Sequence, residues 1–423
     1  MKRRAQFAAR WGATGLAGWL LCTGVAAHAA DRKDHGPKPA VSIAMEPLGY
    51  RPPGKLYLLA RYSSSSVDFL DPKHILLTFR QPHLLRRSEG SDGLDQVVRA
   101  EVLDLATGQV TAADDWLLHD RGRYLWRLGR DHAMLRVGSR LYEVDAKLHA
   151  RELYRSPTEL EGVDATPDGR MLVIEDQMEA HSAEEHDRLV RQAALRGVAP
   201  PPESVRVVMV RLDGPKVVLQ GKSSTPGEVP ATVDGFFRQS QRKEDDWGLD
   251  FVPYETAGTA NPVVQPVAEV ASTCAPQVRV LNPQTVLMLN CPPGHGGRSI
   301  EAFSRDGQKL WDGNWGANYT WPAFRVSEDG STVAISWLQV TEPVSATDPI
   351  DDDDVRRQVL SVLDSRTGNL RFAMLLDPIV SAGGNFALSG DGKQLAVLNK
   401  GELQVYDLAP AAPPAAAAER AAK

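Results

Sequence analysis

Three features of this 423-residue sequence predict an all-β chain, folded as a seven-bladed β-propeller of four-stranded antiparallel blades closed by an N-terminal strand. A Ser/Thr-x-Asp-Gly turn followed by an apolar run returns three times without gaps. A second strand type, ending in an aspartate turn, returns at a common spacing. The last unit lacks an outer strand that a segment near the N-terminus can supply.

The ungapped copies are Thr166 to Ile174 (TPDGRMLVI), Ser327 to Ile335 (SEDGSTVAI) and Ser389 to Val397 (SGDGKQLAV). Asp-Gly makes a tight turn because glycine accepts positive φ, and the apolar run after it reads as a buried strand. Leu70 to Phe79 and Leu281 to Asn290 are looser copies with proline in the turn. The second element covers Ala100 to Gly108, Arg140 to Lys147, Val207 to Gly214, Ile300 to Gly307, Leu360 to Gly368 and Leu403 to Ala409. Its aspartates, Asp104, Asp145, Asp213, Asp306, Asp364 and Asp407, are separated by 41, 68, 93, 58 and 43 residues. A polar, helical-looking insert from Gln177 to Glu203 explains the excess in the second gap, and a loop from Thr341 to Val355 the excess in the fourth. The third gap is two periods long, which places a divergent unit near Gly248 to Glu255. The period of about 40–45 residues is that of four-stranded blades.

The ends fit a closed ring. After Leu408 the chain becomes an Ala/Pro-rich tail, 409–423, too poor in large apolar residues to pack. Lys55 to Tyr62 (KLYLLARY) is expected to supply the missing outer strand, so that no sheet edge stays exposed. The organisation read from the sequence is a signal peptide at 1–29, an extension at 30–54, the propeller at 55–408 with its helical insert at 177–203, and the tail.

The Ser-x-Asp-Gly-x-x-Leu-Ala-Val unit followed by Val-x-Asp-x-x-Thr-Gly resembles the repeats of WD40-like and YVTN-type bacterial β-propellers. From Lys55 to Leu408 the chain is similar to exported bacterial propeller proteins. The resemblance implies the fold and leaves the activity open. Trp311, after an Asp-Gly turn, resembles the tryptophan that docks between blades in quinoprotein propellers.

The N-terminus reads as an export signal. Lys2, Arg3, Arg4 and Arg10 precede an apolar stretch from Gly12 to Ala27, and Ala27-His28-Ala29 offers small residues where a signal peptidase cuts. Cleavage there removes four basic residues and takes the net charge from −6 to −10. An acidic chain without basic clusters argues against nucleic acid as a partner. No second apolar run is long enough to span a bilayer, so the mature chain is expected in the periplasm or outside the cell.

Cys274 and Cys291 are expected to form a disulfide across a hairpin, as an even pair does after export. If Leu281 faces Gln284, the two cysteines oppose each other, and Val278, Val280, Leu287 and Leu289 share their face. His181, Glu184, Glu185, His186 and Asp187 crowd the insert, but the histidines are five residues apart and fall on different helix faces. With Ser182 and Glu185 as a capping box and Gly197 as a stop, this is a solvated helix. Calcium is the cofactor that Asp351, Asp352, Asp353 and Asp354 would take. The run lacks the spaced pattern of a calcium loop and reads first as a solvated acidic loop, so no cofactor and no metal ligand are assigned. The nucleophile elbow of hydrolases, the P-loop and the dinucleotide fingerprint do not occur.

Naming the strands of a blade A to D from channel to rim makes the Asp-Gly copies strand B and the aspartate-ending strands C. The three longest insertions, Gln81 to Gln96, Gln177 to Glu203 and Gln339 to Arg356, then all emerge on one face, as do the connectors from D to the next A. Trp315, Tyr319 and Asp351 to Asp354 are expected close together there as the binding site. The sequence therefore predicts a non-catalytic binding or scaffolding propeller that recognises a protein or a cell-surface polymer. The alternative is an enzyme at the channel mouth, lactonase-, lyase- or glycosidase-like, acting on a carbohydrate or lactone. Histidines clustered with carboxylates at the mouth would favour the enzyme, and aromatics with scattered charges would favour binding.

Overall fold

The computed structural model describes residues 37–52, 65–86, 94–118, 123–129, 131–179, 183–196, 204–223, 229–294, 297–320, 322–343, 352–380 and 383–409. Seven antiparallel sheets follow one another round a ring, each built from consecutive strands except the last. From channel to rim, blade 1 holds Ser65–Phe69, His74–Arg86, Leu94–Asp104 and Val110–Leu118. Blade 2 holds Leu125–Gly129, His132–Val137, Arg140–Val144 and Ala150–Arg155, and blade 3 holds Leu160–Ala165, Met171–Glu179, Ser204–Arg211 and Lys216–Ser223. Blade 5 comprises Gln277–Asn282, Thr285–Asn290, Arg298–Ser304 and Lys309–Trp315. Blade 6 comprises Ala323–Val326, Thr332–Val340, Val355–Asp364 and Leu370–Leu376.

Blade 4 is the divergent unit. Its three long strands are Gly235–Lys243, Asp246–Pro253 and Gln265–Ala271, and its inner strand is reduced to one bridge between Ala231 and Phe236. The segment flagged in the sequence, Gly248 to Glu255, falls on its strand C.

Blade 7 closes the ring. Phe386–Leu388, Gln394–Asn399 and Glu402–Asp407 are completed by Val41–Ala44, with Val41 opposite Val405 and Ile43 opposite Leu403. An N-terminal strand closes the ring as expected, but it is not Lys55 to Tyr62, which lies outside the described residues. The reason lies in patterning. Val41 and Ile43 pack inward on the core while Ser42 and Ala44 face solvent, the period-two alternation a rim strand needs; a continuous apolar run suits a strand covered on both faces. Met45 and Tyr50 then bury themselves between blades 7 and 1, with the Tyr50 ring edge-on to Phe79 at 5.6 Å.

Burial grades from hub to rim. Strand B of blade 5, Thr285–Asn290, is buried at every residue because blades cover both its faces, while Leu370–Leu376 at the rim alternates. Apolar clusters therefore sit between blades. Phe237, Leu249 and Phe251 of blade 4, for example, pack on Val278, Val286 and Met288 of blade 5.

The Ser/Thr-x-Asp-Gly turns share one hydrogen-bond pattern. The hydroxyls of Thr166, Ser327 and Ser389 donate to Asp168, Asp329 and Asp391 at 2.5, 2.6 and 2.8 Å. The same oxygens accept from the amides of Met171, Thr332 and Gln394 at 3.1, 3.0 and 2.9 Å, which starts strand B. Glycine is required twice over at Gly169. Its φ is +64°, and a Cβ there would lie 1.7 Å from the Leu128 carbonyl oxygen of the preceding blade. The turn thus serves as a spacer between blades as well as a bend.

Two expectations need correction. The hairpin of blade 5 pairs Gln277 with Leu289 and Val280 with Val286, one residue off the expected register, with an irregularity between Val280 and Asn282. A one-residue slip flips the faces. Val278 and Val280 therefore pack toward blade 4, while Leu287 and Leu289 pack toward blade 6. Cys274 and Cys291 are nevertheless disulfide-bonded, with Cα atoms 5.6 Å apart, because the link is made just beyond the ladder. There the Thr273 amide donates to the Cys291 carbonyl at 2.9 Å. Closing a loop of 17 residues is worth about 3 kcal/mol in the chain-entropy account. The second correction concerns Gln81 to Gln96, which is largely an extension of strands B and C of blade 1, paired as far as Arg86 with Leu94. The insert of blade 3 contains the expected helix, Ala183–Arg196, mostly exposed; Ser182 and Gly197 lie outside the described residues.

Gly169→Ala and Gly138→Ala separate the two demands on turn glycines, since Gly138 also has positive φ (+57°) but open space around its Cβ position. Gly138→Ala is expected to cost about 1 kcal/mol. Gly169→Ala is expected to cost at least about 2 kcal/mol more, because backbone must move. Denaturant unfolding of both variants checks this, and equal losses would remove the spacer role.

Candidate functional site

The inner strands of the seven blades enclose a cavity of about 730 Å³ along the ring axis. One level of its wall is set by the residue two places before each A–B turn. Round the ring this position is Asp68, Arg127, Asp164, then apolar Val229-Pro230-Ala231 in blade 4, then Arg279, Arg325 and Ala387. These side chains meet because each sits at the same height of an inner strand, next to the ring axis. Charges of both signs line the wall: Asp68 on blade 1, Arg123, Arg127 and Arg136 on blade 2, Glu161, Asp164 and Glu175 on blade 3, and Arg279 and Arg325 on blades 5 and 6.

Arg127 reaches across the ring. Its Nη2 lies 2.9 Å from Glu328 Oε2, in the A–B turn of blade 6, while its Nε donates to the Phe69 carbonyl at 3.0 Å. Blades 2 and 6 are three steps apart round the ring, so this ion pair crosses the channel at the end carrying the short turns.

Asp68 is almost fully buried and accepts a 2.6 Å hydrogen bond from Ser66. Burial pushes its carboxyl above the usual carboxylate range, and Arg325, Ser66, Arg123 and Arg127 offset that only in part. Arg123 stands 3.8 Å from Asp164 with its guanidinium 5.0 Å from the centre of the Trp126 ring. Enclosure in the channel, and next the neighbouring Arg325, lower its pKa to about 10. Solvent still reaches 44% of its side-chain surface. Arg325 lies over Phe386 at 5.6 Å and Arg279 over Phe324 at 5.9 Å.

The opposite face carries the residues singled out in the sequence. Trp315 and Tyr319 are half-buried and both rest on Trp337, at 4.8 and 5.9 Å between ring centres. Arg298 donates to the Tyr319 carbonyl from below. Tyr319 bridges Gln339, the Val340 amide donates to the Asn318 carbonyl at 2.8 Å, and the Thr341 amide donates to the Asp354 carbonyl at 2.8 Å. The aromatic connector and the acidic segment therefore meet at one end of blade 6. Asp352–Asp354 forms a 3-10 turn with Asp353 exposed and Asp354 half-buried, and Asp351 lies outside the described residues. Among the described residues no three His, Cys, Asp or Glu side chains gather in a way that would hold a metal ion, and no helix is long and apolar enough to cross a membrane. Trp311 plays the packing role its position suggested: its Nε1 donates to the Ser365 carbonyl at 2.8 Å, and its ring covers Gly368 in the next blade.

The charged wall of the channel was not read from the sequence. Its signal was present, since aligning the copies on their turns puts Asp68, Asp164, Arg279, Arg325 and Ala387 in one column.

The strand order decides the architecture. The protein is a seven-bladed β-propeller. No family model matches the chain, and no curated protein matches it by sequence. Solved structures similar to this propeller include the acylaminoacyl peptidase of Pyrococcus horikoshii, at 9% identity and a TM-score of 0.46, covering 84% of this chain and 52% of that one. Hsv2p of Kluyveromyces lactis is similar at 10% identity and 0.38, covering 79% and 88%. The C-terminal WD40 domain of Sif2 is similar at 9% and 0.37, covering 82% and 96%. Likeness at this level concerns the fold alone.

Because Asp68 is raised, its neutral form is favoured in the folded propeller. That stabilisation is complete below the usual carboxylate range and is lost as pH rises through the raised folded value. Asp68→Asn is therefore expected to melt higher than the parent near pH 8, with the gap closing toward pH 4. A gap independent of pH would contradict the assignment.

Proposed function

We propose that the protein is a non-catalytic binding or scaffolding propeller that acts after export, its partner being a protein or a cell-surface polymer docked on the face of the long B–C connections. The observation that carries this reading is the meeting of Trp315 and Tyr319 with the Asp352–Asp354 turn at one end of blade 6. Half-buried aromatics supported from beneath by a buried third ring are suited to anchor a partner at little entropic cost. Nearby acidic groups at the rim favour specificity and the rate of encounter.

The channel wall supports binding over catalysis. Its described charges are arginines set against carboxylates, with Arg127 and Arg123 already engaged by Glu328 and Asp164. An arginine stays protonated at any physiological pH and recognises charge rather than moving protons. The basic, apolar, Ala-x-Ala order of the N-terminus and the Cys274–Cys291 disulfide support export.

A photo-crosslinking residue at Asp353, on the loop-bearing face, is expected to capture the partner in cells. The same residue at Asp213, in a C–D turn of the other face, should not. Changing Trp315 and Tyr319 together to alanine should weaken binding of the captured partner by about 1 kcal/mol or more, a fivefold loss, with the melting temperature little changed. Capture from Asp213 alone, or undiminished affinity of the double variant, would overturn the docking face.

A further inference from the structure

The outer strand of each blade leaves a row of backbone N–H and C=O groups at the rim. Such an edge pairs with another chain unless it is short, carries charge or is interrupted by proline. Six of the seven rim strands have one of these protections. Asp115 stands in the outer strand of blade 1, Glu152 in that of blade 2 and Lys222 in that of blade 3. Pro266 interrupts the edge of blade 4, Asp312 lies mid-strand in blade 5, and the edge of blade 7, Val41–Ala44, is four residues long.

Leu370–Leu376 of blade 6 has none of them. Its one charged residue is turned away from the edge and onto the ring. Arg371 Nε donates to the Ala409 carbonyl at 2.9 Å, and its Nη1 donates to the Thr332 hydroxyl at 2.5 Å and the Gly392 carbonyl at 3.2 Å. From Phe372 to Leu376 the strand pairs with its inner neighbour without interruption, so the edge runs straight. Leu370 and Leu375 are 44% and 43% exposed, and among the described residues no other strand leaves two large apolar side chains open.

The sequence of this edge is complementary to itself. In an antiparallel pair centred on Ala373, Leu370 faces Leu376 of a second copy, Phe372 faces Met374, and Ala373 faces Ala373. Phe372, Met374 and Leu376 already pack on the core between blades 6 and 7, so the pair carries that apolar stripe into the second molecule. The small side chain at the centre lets the edges close, and Arg371 meets Leu375, so that no like charges oppose. The chain has a net charge of −6, and two acidic molecules meet most readily where neither presents a carboxylate. We propose that the protein pairs with a second copy of itself along Leu370–Leu376, forming one continuous antiparallel sheet across two propellers. Each of these strands runs from the turn face to the loop-bearing face, so the antiparallel pair points the two loop-bearing faces in opposite directions. The contact is separate from the docking surface at Trp315 and Tyr319 and does not depend on it.

Sedimentation equilibrium of the exported protein, from nanomolar to high micromolar concentration, tests the pairing. A contact along one strand is small, so the dimer is expected to form in the micromolar range. A protein that stays monomeric throughout overturns the proposal without any variant, whatever the folding of the variants below. Ala373 lies on the two-fold axis, where any new side chain meets its own copy. Ala373→Asp and Ala373→Lys alter an exposed position, so each should keep the parental melting temperature and, alone, lose association by about tenfold or more. An equimolar mixture of the two should regain it. Leu117→Lys, on the protected rim of blade 1, should associate as the parent does, as should a chain ending at Ala409. Undiminished association of either Ala373 variant alone, a mixture that does not recover, or loss of the dimer when the tail is removed would each overturn the pairing.

Discussion

Everything in this molecule depends on closing the ring. A strand B such as Thr285–Asn290 is buried at every residue because a neighbouring blade lies on each of its faces. No blade can therefore be satisfied alone, and the first and last must meet as well as any other pair. Four residues, Val41–Ala44, complete that meeting beside Glu402–Asp407, and Met45 and Tyr50 fill the seam. The linkage joins positions about 360 residues apart, as in the hydrogen bond from Ser42 to Glu402, and the loop-closure entropy of so long a span grows only slowly with its length. The Asp-Gly turns then set blade spacing, because Gly169 leaves no room for a side chain against the Leu128 carbonyl.

How far the sequence was legible follows from which interactions are local. The Ser/Thr-x-Asp-Gly turns could be read because hydroxyl, carboxylate, amide and glycine lie within six residues of one another. Blade 4 could be located because the spacing of its neighbours left room for one unit; its own copy of the turn, Thr232-Val233-Asp234-Gly235, in which the Thr232 hydroxyl donates to Asp234 at 2.7 Å, was not read. The closing strand was misplaced because KLYLLARY is the more apolar segment, whereas the rim rewards alternation over total hydrophobicity. The hairpin register failed by one residue because an irregularity near Asn282 adds a residue that a simple turn count does not include. The cysteines pair regardless, since they lie beyond the ladder where register no longer constrains them.

The two surfaces differ in legibility for the same reason. Trp315, Tyr319 and the acidic segment fall together because strand direction alone decides on which face a connector emerges. The channel wall depends on single residues in strands of three to six residues, where no local motif announces a role. Arg127 and Glu328, 201 residues apart, meet only because blades 2 and 6 face each other across the axis. Such contacts are set by ring geometry, which also explains why Asp68 is held above the usual carboxylate range although three arginines are near. Burial in the wall outweighs attraction from charges that are themselves engaged elsewhere.

Thermal melting of a chain that begins at Met45, compared with one that begins at Ala30, tests the ring closure most directly. Loss of Val41–Ala44 strips the outer strand from blade 7 and opens the seam. The melting temperature should then fall sharply, or cooperative unfolding should disappear. A truncated chain that melts at the same temperature with the same cooperativity would contradict closure by this strand.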